Sequence, residues 1–113
     1  MENLQERAVK AAKASLVNKG YEIVGSTERG PVAIDEDCLV FTSVLVRVMG
    51  SSDGFATDMS SRKKRELEAC TWLAEHPGYT MPIRFDEVSL LVLGDDRAML
   101  RHHINCLSSA EVA

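Results

Sequence analysis

Leu39-Val40-Phe41-Thr42-Ser43-Val44-Leu45-Val46-Arg47-Val48-Met49 is the stretch on which the rest of the chain is organised. It is rich in β-branched residues, holds one aromatic ring and carries a single charge, Arg47. Extended, it spans roughly 36 Å, longer than an average strand. A nearly continuous apolar run of this kind is buried on both faces, as a central strand of a sheet covered by helices.

The flanks supply the other layers. Upstream, Asp35-Glu36-Asp37 reads as a polar hairpin turn, and Val32-Ala33-Ile34 as a second strand. Pro31 cannot donate to a sheet ladder, so it belongs at an edge or a strand start. Tyr21 to Gly25 is a short strand. Before it, Glu2 to Lys19 reads as a helix capped by Asn3 and closed by Gly20. Its stripe is Leu4, Ala8, Ala11, Ala12 and Ser15, with Val9 and Leu16 beside it; these small residues allow close approach to a sheet.

Downstream, Gly50 to Asp58 reads as a mobile loop. Ser60 or Ser61 caps a second helix running to about Glu75, with Leu67, Cys70, Thr71 and Ala74 at helical spacing. His76-Pro77-Gly78 ends it. Ile83 to Leu93 and Ala98 to Ile104 are strands joined at Gly94-Asp95-Asp96, and residues 108–113 form a frayed tail. The predicted architecture is a single α/β domain, in the order α-β-β-β-α-β-β. It has a mixed sheet of about five strands and two helices, and the second helix permits a crossover to a parallel neighbour.

Composition narrows the function. In a chain of 113 residues, no apolar run approaches a membrane span and the first ten residues do not form a signal peptide. Cys38, Cys70 and Cys106 are odd in number and far apart, which predicts buried thiols in a reducing cytosol. The net charge of −4 excludes a protein that coats nucleic acid by bulk charge, yet leaves room for a local basic face.

Several segments carry a family likeness. Lys19-Gly20-Tyr21-Glu22-Ile23 is similar to an "RGYRI" helix exit, and residues 32–41 to an "IARDGDTLVF" hairpin. Ser60 to Leu67 is similar to "TPRKQRRL", Trp72-Leu73-Ala74 to "WLA", Arg84 to Val88 to "RFDVV", and His102 to Leu107 to "HIENAF". In order and spacing the chain resembles the YraN-type family of small bacterial proteins, described as endonucleases of the restriction-endonuclease-like fold. The resemblance covers nearly the whole length and implies that fold.

The same resemblance implies where a metal site would lie. Members with an intact site carry a Glu on the first helix, an Asp in "GEIDLIA", and a Glu and Lys in "VFVEVK". The carboxylates hold Mg²⁺ through hard oxygen ligands, and the metal activates water. Read without gaps, the helix Glu falls on Val9. The Asp falls on Gly30, or on Ala33 if the hairpin is shortened, and the Glu and Lys fall on Ser43 and Leu45. Val9 and Leu45 cannot bind a metal, and one serine does not replace two carboxylates. The expectation is a nuclease-like fold without its catalytic residues and without a cofactor. Mg²⁺ would enter only at a site rebuilt from Glu6, Glu28 and Asp35.

Arg62-Lys63-Lys64-Arg65 opens the second helix. A solvated first turn explains such a run, but cations there oppose the helix dipole by about 0.3–1 kcal/mol each, which a bound phosphate would offset. Arg47, on the same strand face as Ser43 and Leu45, is a second phosphate contact or an edge residue. Arg84 and Asp86 share a strand face and pair with neighbours. His102 and His103 point to opposite faces and make a poor joint metal site, His76 is a helix-end residue, and Asp35, Glu36 and Asp37 are explained by the turn. Three readings follow: a non-catalytic nucleic-acid-binding protein, a protein–protein or scaffold module, and a nuclease whose acids have migrated.

Overall fold

The computed structural model describes residues 3–48, 62–94 and 97–105. The elements are α1 (Leu4–Asn18), β1 (Glu22–Ser26), β2 (Pro31–Asp35), β3 (Cys38–Val48), α2 (Arg62–Glu75), β4 (Ile83–Gly94) and β5 (Arg97–His103). The expected caps of α2 at Ser60 or Ser61, the loop from Gly50 to Asp58, Cys106 and the tail lie outside the described residues, as do Asp95 and Asp96 of the last turn.

α1 begins in a capping box. Glu6 N–H donates to Asn3 Oδ1 at 2.8 Å and Asn3 N–H to Glu6 Oε1 at 3.0 Å. It ends where Gly20 turns left-handed at φ 93°, which sends the Tyr21 N–H back to Leu16 O at 3.0 Å. Five strands lie in the order β1-β2-β3-β4-β5. The β1–β2, β2–β3 and β4–β5 pairs are antiparallel, and β3 runs parallel to β4 from Leu39↔Ile83 to Val48↔Val92. α2 occupies the crossover that this parallel pair requires.

Each face of β3 meets a different helix. Val44 packs with Ala8, Ala12 and Val88, while Val40 packs with Leu16, Tyr21 and Ala33. The alternate residues Leu39 and Phe41 meet Ala69, Trp72 and Phe85 on the α2 side. β3 is therefore covered on both faces, as its apolar run requires. Among the described residues no helix is long and apolar enough to cross a membrane.

The buried line of α2 differs from the one its spacing suggests. Leu67 is 67% exposed and Cys70 is exposed, whereas Arg65, Ala69 and Trp72 are buried. The helix is turned by its largest side chain. Trp72 fills the space over Phe41, edge-on at 5.7 Å between ring centroids, and His76 stacks on its outer side at 3.9 Å. Gly25 makes room opposite, because a Cβ there would stand 2.9 Å from Trp72 Cζ2. Trp72→Ala should cost about 3–5 kcal/mol in urea unfolding; a loss under about 1 kcal/mol would show that the indole is not the anchor. The cysteine expectation is corrected too. Cys70 is on the exposed side of α2 and Cys38 is half-buried at the start of β3. Burial and the neighbouring Asp37 push the Cys38 thiol up, which lowers its reactivity.

Candidate functional site

The four positions at which the family likeness would place metal chemistry do not line one pocket. Val9 packs on the α1 side with Val44, Val46 and Leu90. Ser43 and Leu45 alternate with Val44 and Val46 on β3, so they belong to the opposite face. Gly30 is buried against the backbone of β3. A Cβ on it would lie 2.8 Å from Thr42 O and 2.8 Å from Val44 Cγ2. An apolar cluster, a closed backbone contact and one hydroxyl do not fit a divalent cation.

The acids put forward as substitutes are also apart. Glu6 belongs to the α1 cap. Glu28 lies on the rim of a cavity of about 570 Å³ between the β1–β2 turn and α2, where Arg29 is paired with Glu68. Asp35 accepts from Arg84 Nη1 at 2.8 Å, so turn chemistry alone does not account for it. Among the described residues no three His, Cys, Asp or Glu side chains gather as a metal-binding group.

What the fold does gather is a buried polar network around Asp86, on the α1 side of β4. Arg84 donates to Asp86 Oδ1 through Nε and to Oδ2 through Nη2, both at 2.9 Å. Tyr21 donates to Oδ2 at 3.3 Å, His102 faces the same oxygen at 2.8 Å through Nε2, and the Asn105 N–H donates to Oδ1 at 2.9 Å. Lys19 Nζ stands 2.8 Å from His102 Nδ1. A neutral ring with its proton on Nε2 satisfies both contacts, donating to Asp86 and accepting from Lys19. Burial pushes the Asp86 carboxyl up, but the bonds from His102, Arg84 and the Asn105 N–H outweigh it and hold it down at about 2. Tyr21 is pushed up to about 12, first by burial and then by the charge of Asp86. Arg84 is raised by its bonds to Asp86. Asp86 is wholly enclosed and the His102 side chain nearly so, which makes this a structural network. Arg84 and Asp86 share a strand face and meet neighbours on it, Asp35 and His102, as the alternation indicates; their bonds to each other are an addition, and the two histidines stand on opposite faces.

The basic run of α2 is divided by the same geometry. Arg65 is 3% exposed, lies over the Phe85 ring at 5.4 Å and donates to Asp86 O at 3.4 Å. It is a core residue and cannot meet a ligand in solvent. Arg62 pairs with Glu66 at 3.1 Å on the outside of the helix. Lys63 and Lys64 are exposed. Arg47 is half-buried on the α2 side of β3, and among the described residues its enclosed Nε has no hydrogen-bond partner. Arg101 joins this side through its register with Ser89, a placement that needs the β4–β5 pairing to be known.

No protein-family model matches the chain, and no curated protein does.

Proposed function

We propose that the protein binds nucleic acid through the α2 side of its sheet, on a restriction-endonuclease-like scaffold that no longer performs metal-dependent cleavage. Lys63 and Lys64 form the exposed part of the surface, Arg62 is half-buried next to them, and Arg47 and Arg101 lie on the same side of the sheet. The observation that carries the reading is Arg47: a half-buried guanidinium whose Nε has no hydrogen-bond partner among the described residues, on the side that carries the cationic first turn of α2. Cations gathered on one side of a sheet favour a polyanion, and phosphate contacts of this kind position a backbone without reading sequence. The replacement of the family's acids by Val9, Gly30 and Ser43, and of its Lys by Leu45, supports binding without hydrolysis.

A titration of duplex DNA at several salt concentrations tests this. The intact protein should lose affinity steeply as salt rises. The Arg47→Ala/Lys63→Ala/Lys64→Ala variant should reduce the slope of log K against log salt by about two to three, close to one per lost phosphate contact. Affinity that ignores salt, or a triple variant that binds like the parent, would refute the reading.

A further inference from the structure

β5 closes the sheet on one side, so one of its edges is unpaired among the described residues. Its sequence, Arg97-Ala98-Met99-Leu100-Arg101-His102-His103, contains no acid. Every residue but His102 is exposed, including Met99 at 50% and Leu100 at 36%. Beside it, α1 and the β4–β5 pair bound a groove of about 350 Å³. Leu4, Ala11, Leu90 and Val92 give it an apolar wall, and Arg7 and Arg97 stand on its rim. Neither rim guanidinium has a hydrogen-bond or ion-pair partner among the described residues.

We propose that this edge is a docking strand for an extended acidic segment of another protein, one in which carboxylate and apolar side chains alternate. An added strand would bond to the free backbone edge of β5. Its apolar side chains would lie against Leu100 and the groove, and its carboxylates would meet Arg7 and Arg97. Charge selects the occupant. A second copy would set one arginine-bearing edge against another, a like-charge arrangement that costs affinity. A nucleic acid would satisfy the arginines but gain little from Met99, Leu100 and the apolar wall.

The probe is a short synthetic peptide of alternating Glu and Val, compared with one of alternating Lys and Val and with a Glu/Val peptide N-methylated at alternate amides. Fluorescence anisotropy on the intact protein should show saturable binding of the unmodified acidic peptide alone, with amide shifts in β5 by NMR. Arg7→Glu/Arg97→Glu should weaken it about tenfold or more. The N-methylated peptide keeps the test valid if that variant unfolds, since it needs no change to the protein. Three results would overturn the proposal: the methylated and lysine peptides bind as well as the acidic one, the acidic peptide does not bind, or β5 shifts arise from self-association or only with duplex DNA.

Discussion

Asp86→Ala should lower the unfolding free energy by about 3–5 kcal/mol at neutral pH, as expected when one member of a buried charge pair is removed and its partner stays buried. The side chain ties together four segments. Tyr21 follows α1, Arg84 lies on β4 and reaches Asp35 at the end of β2, and His102 and Asn105 come from β5 and the residues after it. Such a loss is a large fraction of the 5–15 kcal/mol that holds a typical domain. Urea unfolding measures it; a loss below about 1 kcal/mol would mean that the network is dispensable. Acid supplies an independent check. The folded carboxyl, at about 2, lies below its ordinary 3.8, so its contribution is present above pH 4 and is lost as pH falls through the folded value. About 2 kcal/mol should disappear between pH 4 and 2 in the parent. Asp86→Asn should lack this component, and an unchanged acid limb would assign it to other groups.

Gly30→Asp should confer no Mg²⁺-dependent cleavage and should cost about 4 kcal/mol, combining overpacking of about 1–3 kcal/mol with an enclosed, unpaired carboxylate. The Cβ alone would press on the Thr42 carbonyl, a backbone atom that cannot swing aside. Gly30 is also held at both ends of its peptide, since its O accepts from Thr27 N–H at 2.8 Å and its N–H donates to Thr27 O at 3.2 Å. Thermal unfolding should show the destabilisation, and a Mg²⁺ cleavage assay should stay silent. A variant as stable as the parent would contradict the closeness of the β1–β2 turn to β3.

The order of the seven elements is legible in the residues because each boundary has a local cause. Gly20, Pro31, the acidic turn before Cys38 and Pro77-Gly78 break the chain where strands and helices change. β3 begins at Cys38, one residue before the quoted stretch, because Asp35 and Cys38 still face each other across the hairpin. The buried side of α2 is not legible. Spacing alone favours Leu67 and Cys70, and only the Phe41–Phe85 surface shows why Trp72 and Arg65 face inward. The Asp86 network is hidden for a similar reason. Residues two apart on a strand announce that Arg84 and Asp86 are neighbours, but Tyr21 and His102 reach them from 65 and 16 positions away. Fold questions decided by local chemistry are open to sequence reasoning; side-chain partners fixed by crossing elements are not.

The arrangement around Asp86 also bears on how the chain is made. Two of its donors, His102 and the Asn105 amide, come after every other part of the network in sequence. A nascent chain that has released β4 but not β5 holds a carboxylate short of half its partner residues and a parallel strand pair with an open side. Completion of the native state on the ribosome must therefore await emergence of the final described strand, and until then the partly built sheet is the species most exposed to misassembly.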